Sequence, residues 1–227
     1  MKKSIKTFVI LMAISFTFCS ASFAQKKFRG ILTVSYSYTG MDAATIAQLP
    51  KSKTLMVYDN LSKEQTNYGP VLMEQILNGD AKTISILLDQ MGDKKYLKFT
   101  TEESKQLADK VTDIKIIYTE ETKSIAGYTC KKAIVTSKNE DGITISDTVF
   151  YSEELGNEAL NWGSKFEGLK GMPMQYKVTQ DELVITVMVT EVKKGKVKDT
   201  DFLIPSDYVE FSAEEKQQMI DQFKGKE

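Results

Sequence analysis

Polar and apolar residues alternate through most of this chain, and that two-residue period constrains its fold more than any other feature. From Ile31 to Tyr38, Leu32, Val34, Tyr36 and Tyr38 fall on one face, while Thr33, Ser35 and Ser37 fall on the other. That is the signature of a half-buried β-strand. The same reading predicts strands at 53–58, 63–68, 83–89, 95–100, 113–119, 128–137, 143–151, 172–180 and 183–192. Turn residues separate them: Asp59-Asn60, Gly92-Asp93, Asp141-Gly142, Gln180-Asp181 and Gly195. Links this short join antiparallel neighbours, because a parallel crossover needs about a dozen residues or more. The expectation is a mostly β (α+β) protein built as an antiparallel meander.

Leu183 to Val189 is apolar on both faces, which predicts a central strand covered on both sides. Short helices are the expected cover. Asp42 to Leu49 opens on a capping residue and stops at Pro50. Thr100-x-x-Glu103 and Ser212-x-x-Glu215 have the form of capping boxes. The second box opens a helix to about Phe223, with Met219, Ile220 and Phe223 on one face. Pro70 to Leu77 reads as a further short helix.

The first 24 residues follow another logic. Lys2, Lys3 and Lys6 precede an apolar stretch from Phe8 to Phe18, and small residues ending in Ser22-Phe23-Ala24 follow it. This is the three-part pattern of a secretory signal peptide cut after Ala24. The apolar stretch falls short of the ~20 residues that cross a bilayer. Lipid attachment at Cys19 needs a small residue before it, and Phe18 stands there. The expectation is an exported protein, periplasmic or secreted, with residues 25–227 forming one domain that does not span the membrane.

Removing residues 1–24 takes away three lysines and no acid, which leaves 27 bases against 31 acids. That balance argues against a nucleic-acid partner. The chain has no histidine, so Ser-His and Cys-His nucleophile pairs and His-ligated zinc are ruled out. Cys130 is the one cysteine left after Cys19 departs with the leader, so there is no internal disulfide framework. Lys131 and Lys132 flank Cys130, but strand neighbours point to the opposite face, and a free cysteine more often behaves as a small core hydrophobe. Carboxylates pair at Glu102-Glu103, Glu120-Glu121, Glu153-Glu154 and Asp199-x-Asp201. None has calcium-loop spacing; they read as solvated turn and helix-start charges. No cofactor or resident metal is expected.

Tyrosines and methionines carry the remaining signal. Tyr36, Tyr38, Tyr128, Tyr176, Met174 and Met188 sit on predicted strands. They suit the lining of a pocket for a greasy ligand, and they suit an ordinary β core as well.

Three segments carry a family resemblance: Lys123-Ser-Ile-Ala-Gly-Tyr-Thr-Cys-Lys-Lys-Ala133, Val149-Phe-Tyr-Ser152 and Phe166-Glu-Gly-Leu-Lys-Gly-Met-Pro173. Together they resemble exported Bacteroidota-type proteins named after a Gly-Leu-Pro-Gly-Leu-Ile motif (GLPGLI), or a sister family of the same fold. The third segment keeps Gly168, Leu169 and Gly171 but has Lys170 in place of the motif's proline. The resemblance implies a fold like that of periplasmic lipoprotein carriers: a curved antiparallel sheet forming a half-open β-barrel, with a few short helices on its concave side. It brings no catalytic residues.

The expectation for function is a non-enzymatic periplasmic binding protein holding a hydrophobic ligand, an acyl chain or a lipoprotein. Tyr36, Tyr38, Tyr128, Met174, Tyr176 and Met188 would line the site, and Ile46 on the helix 42–49 would cover it. The alternative is an envelope protein–protein interaction module whose concave face is filled by its own side chains. A third reading is an enzyme working through Cys130 or a carboxylate pair.

Overall fold

The computed structural model describes residues 27–108, 112–138, 142–180 and 182–223. The predicted signal segment 1–24, Asp141 and Asp181 of two predicted turns, and the side chains of Met219, Ile220 and Phe223 lie outside the described residues.

Among the described residues, twelve strands form one open sheet. The first half is a meander: β1 (Arg29–Thr39), β2 (Ser52–Tyr58), β3 (Leu61–Tyr68), β4 (Val71–Asn78), β5 (Thr83–Gln90) and β6 (Asp93–Phe99). The second half is another: β7 (Thr112–Ile125), β8 (Tyr128–Lys138), β9 (Thr144–Ser152), β10 (Met172–Gln180) and β11 (Leu183–Lys194). The two meanders join where β1 pairs antiparallel with β11, so β11 is central, as its two-faced sequence predicts. β12 (Val209–Glu210) adds to β6 as a two-residue parallel pair. The wholly antiparallel expectation is corrected there: the chain returns from β11 and meets β6 running in the same direction.

The predicted helix Pro70–Leu77 is instead a turn residue, Pro70, followed by the strand β4 from Val71. Its Leu, Met, Glu and Gln are good helix formers, which made the helix reading attractive. Ladders with β3 on one side and β5 on the other satisfy its whole backbone, and such tertiary pairing overrides local propensity.

Three α-helices follow the predicted starts: α1 (Ala43–Gln48), α2 (Thr101–Ala108) and α3 (Ala213–Phe223). Asp42 caps α1, accepting from the Ala44 and Thr45 amides at 2.9 and 3.0 Å. Both capping boxes form: Thr100 with Glu103 and Ser212 with Glu215 bond reciprocally at 2.8 and 3.2 Å.

α2 also reports on the shape of the sheet. It links β6 to β7, which stand ten strand positions apart in the sheet order. In a flat sheet that gap is about 48 Å. From Phe99 to Thr112 there are thirteen Cα steps, and with eight of them helical the chain spans at most about 30 Å. The sheet must therefore curl to bring its two margins closer.

One face carries Leu32, Val34, Leu55, Val57, Val187 and Val189, packed with Leu155 and Leu160. A neighbouring cluster joins Ala133, Val135, Val149 and Tyr151 to Phe166 and Leu169. The opposite face of the first meander buries Ile76 and Leu87 against Val197 and Phe202. The central strands are thus covered mainly by the segment 153–171 between β9 and β10, whose regular structure is one 3-10 turn, Glu158–Asn161. The helical cover expected from 42–49 is corrected: α1 contributes no buried residue. A short helix with one apolar pair, Ile46 and Leu49, has too little surface to bury.

Candidate functional site

Strand register builds the floor of a cavity under the covering segment. On one sheet face, Tyr36 on β1 pairs with Val187 on β11, Val187 with Tyr176 on β10, and Tyr176 with Val149 on β9. In the next row Thr66 on β3 pairs with Lys53 on β2, Lys53 with Val34, and Val34 with Val189. The resulting cavity of about 130 Å³ has Val34, Leu55, Met172, Met174, Val187 and Val189 as its apolar wall. Leu160, Asn161, Ser164 and Phe166 of the covering segment close it from above.

The wall has one charged corner. Lys53 Nζ lies 2.7 Å from the Glu64 carboxylate, and the lysine side chain is only 12% exposed against 37% for the glutamate. Burial pulls the Lys53 pKa down, but the Glu64 charge and the nearby Tyr176 and Tyr36 outweigh it and hold the ammonium above its ordinary range. A lysine held charged is a binding group and not a free-amine nucleophile. Burial pushes the Tyr36 hydroxyl up to about 12 and raises that of Tyr176, so both remain neutral hydrogen-bonding groups at physiological pH.

The cover is held at a few points. Asn161, 4% exposed, donates from Nδ2 to the carbonyls of Leu169 and Gly171 at 2.8 and 2.9 Å. Lys165 reaches Asp147 on β9 at 2.8 Å and the Lys177 carbonyl at 3.0 Å. Phe166 meets Tyr176 edge-on at 4.8 Å between ring centroids. Gly171, the second glycine of the resemblance motif, passes so close to Ser152 that an added Cβ would sit 2.4 Å from its carbonyl oxygen. That approach lets the cover rejoin the sheet without a gap.

Of the seven predicted site residues, Met174 and Tyr176 line this cavity. Tyr36 stands beside it, within electrostatic reach of Lys53, Glu64 and Tyr176. The others lie elsewhere. Tyr38 donates its hydroxyl to the Pro50 carbonyl, and Tyr128 sits under Lys194, 5.3 Å from its ring centroid. Met188 alternates with Val187 and Val189 and pairs with Ser35 and Gln175. Ile46 is half-buried on α1 and is not part of the wall. Sequence reasoning missed Lys53, Glu64 and the whole cover. A signal for the ion pair existed: Lys53 is in phase with the buried Leu55 and Val57, and the two-residue turn at Asp59-Asn60 fixes the register that brings Glu64 beside it.

Cys130 is fully buried. Its thiol lies 3.6 Å from the Tyr128 carbonyl, and burial raises its pKa. The carboxylate pairs are engaged locally. Glu103 binds Lys216, Glu121 binds Lys132, and Glu153 binds Lys131, at 2.8, 2.6 and 3.2 Å. Asp201 accepts from the Lys198 amide at 2.8 Å. Among the described residues, no helix is long and apolar enough to cross a membrane.

Residues 28–208 match a family model described as "Domain of unknown function (DUF4412)". That span contains all three segments on which the GLPGLI resemblance rests. No curated protein matches the chain.

Proposed function

We propose that this chain, which belongs to the DUF4412 family, is an exported envelope protein that binds a hydrophobic ligand between its curled sheet and the segment 153–171. The ligand is an acyl chain, free or carried by a lipoprotein, and the sheet acts as a half-open barrel around it. The observation that carries this reading is the cavity of about 130 Å³ with a largely apolar wall, left between a regular sheet and an irregular cover.

Its size decides how binding must work. A dry cavity of roughly 150 Å³ takes one benzene, whereas ligand pockets usually span about 300–1,000 Å³. The closed protein therefore admits some six carbons. At about 0.8 kcal/mol per buried methylene these contribute about 5 kcal/mol, which association costs largely cancel. Useful affinity needs a longer chain, and a longer chain needs the cover to lift. Lifting it exposes Leu155, Leu160, Phe166 and Leu169, which are buried in the closed form, so only a ligand long enough to replace that apolar contact holds the cover open.

Titration with long-chain fatty acids tests the reading. Saturable binding with a rise in melting temperature is expected, because a ligand that binds only the folded state stabilises it. A flat response in both would sink it. The interaction-module reading would then gain, favoured by Ile117 and Ile145, exposed on β7 and β9 at 58% and 43%.

A further inference from the structure

The charged corner of the cavity says more about the ligand than the apolar wall does. Lys53 sits on a strand face otherwise occupied by Val57 and Leu55, where a lone ammonium would be costly. Glu64 is its ion-pair partner, and that glutamate is about three times as exposed as the lysine. The pair is therefore asymmetric: a fixed buried cation faces a carboxylate that can swing into water. The position of the Glu64 carboxylate, 2.7 Å from Nζ, already marks a space that accepts a carboxylate. Ser62 and Tyr176 add neutral hydrogen-bonding groups to the same wall, Asn161 Nδ2 and Ser164 Oγ being bonded within the cover, while Met174, Val187 and Val189 continue it as apolar surface.

We infer that the ligand is a carboxylate-headed single-chain amphiphile, whose headgroup replaces Glu64 on Lys53 while its tail runs under the covering segment. This rests on the hydrophobic-ligand reading and adds the headgroup to it. Glu64, the more exposed of the pair, marks the side from which the headgroup enters, so the acid end stays near water and the tail points inward. A charge-assisted hydrogen bond in a part-buried site favours the acid over a neutral ester about tenfold or more.

The test compares palmitate, methyl palmitate and hexadecanol by competition against a fluorescent fatty acid, with the purified protein and with Lys53→Met and Glu64→Gln. Palmitate should bind about tenfold tighter than the ester and the alcohol. Lys53→Met should erase that preference while neutral ligands still bind. Glu64→Gln should tighten palmitate binding, since it removes the competing carboxylate and keeps the shape; it serves as the second variant should Lys53→Met fold poorly. Equal binding of acid, ester and alcohol to the unmodified protein would overturn the headgroup assignment and leave the hydrophobic-ligand reading standing. Saturable binding of none of the three would overturn both.

Discussion

Gly79, in the turn between β4 and β5, packs directly beneath Ala159 of the covering segment: a Cβ added at Gly79 would lie 2.3 Å from the Ala159 carbonyl oxygen. Sequence context presents Gly79 as an ordinary turn glycine, yet it is absent from the residues of positive φ. What it provides is close approach. Beside it, Asn157 donates to Asn60 at 2.8 Å, and Asn60 donates to Asp80 at 2.7 Å. Here the first meander grips the cover that belongs to the second.

Gly79→Ala should therefore act on the cover and not on the turn. Forcing the methyl group against a backbone oxygen costs about 1–3 kcal/mol, read as a lower midpoint in urea. Hydrogen exchange should speed up in 153–171 more than in β4 or β5. Acceleration confined to the turn would show that the contact with Ala159 is incidental.

Filling the cavity should separate binding from folding. Val187→Phe places an aromatic ring into a space of about 130 Å³, so stability should change by less than about 1.5 kcal/mol. Fatty-acid affinity should fall more than about tenfold, the cost of losing about two buried methylenes. Unchanged affinity would place the ligand elsewhere.

Cys130 should be slow to react. Its thiol is fully buried and its pKa is raised chiefly by burial, so little thiolate exists at neutral pH and reagents cannot reach it. A thiol assay should register the residue only after denaturant is added; rapid native labelling would revive a chemical role. Cys130→Ser should cost about 1–3 kcal/mol, since a hydroxyl is penalised more than a thiol in an apolar site.

Alkaline pH should loosen the site through Tyr36. Burial lifts its hydroxyl from the ordinary value of 10.0 to about 12. The folded state thus keeps a proton that the unfolded chain loses, and the resulting stability is complete below pH 10 and drains away as pH rises towards about 12. Ultraviolet titration should show late tyrosinates that include Tyr36 and Tyr151, which is also pushed up to about 12; Tyr36→Phe should remove one of them, and the fall in stability across that range should shrink by its share.

Export predicts a mature N-terminus at Gln25. Terminal sequencing of the protein recovered from its native envelope checks this, and a lipid-bearing Cys19 would contradict it.

Most of the local structure was legible in the order of the residues. Alternation marked nearly every strand, because a two-residue period records which side of a ribbon is buried, and that information is carried by neighbours in the chain. The caps at Asp42, Thr100 and Ser212 were legible for the same reason, since each bonds within three residues. Features that depend on distant partners emerged only with packing. Val71–Asn78 became a strand because β3 and β5 flank it, against the preference of its own side chains. The cover has no period at all, and its buried Leu160, Phe166 and Leu169 acquire meaning only over the face that they meet. Lys53 shows the boundary most clearly. Its phase on β2 was visible, but its significance came from Glu64 on the next strand and from Val189, far along the chain, which the joining of two meanders brings into the same cavity wall across Val34.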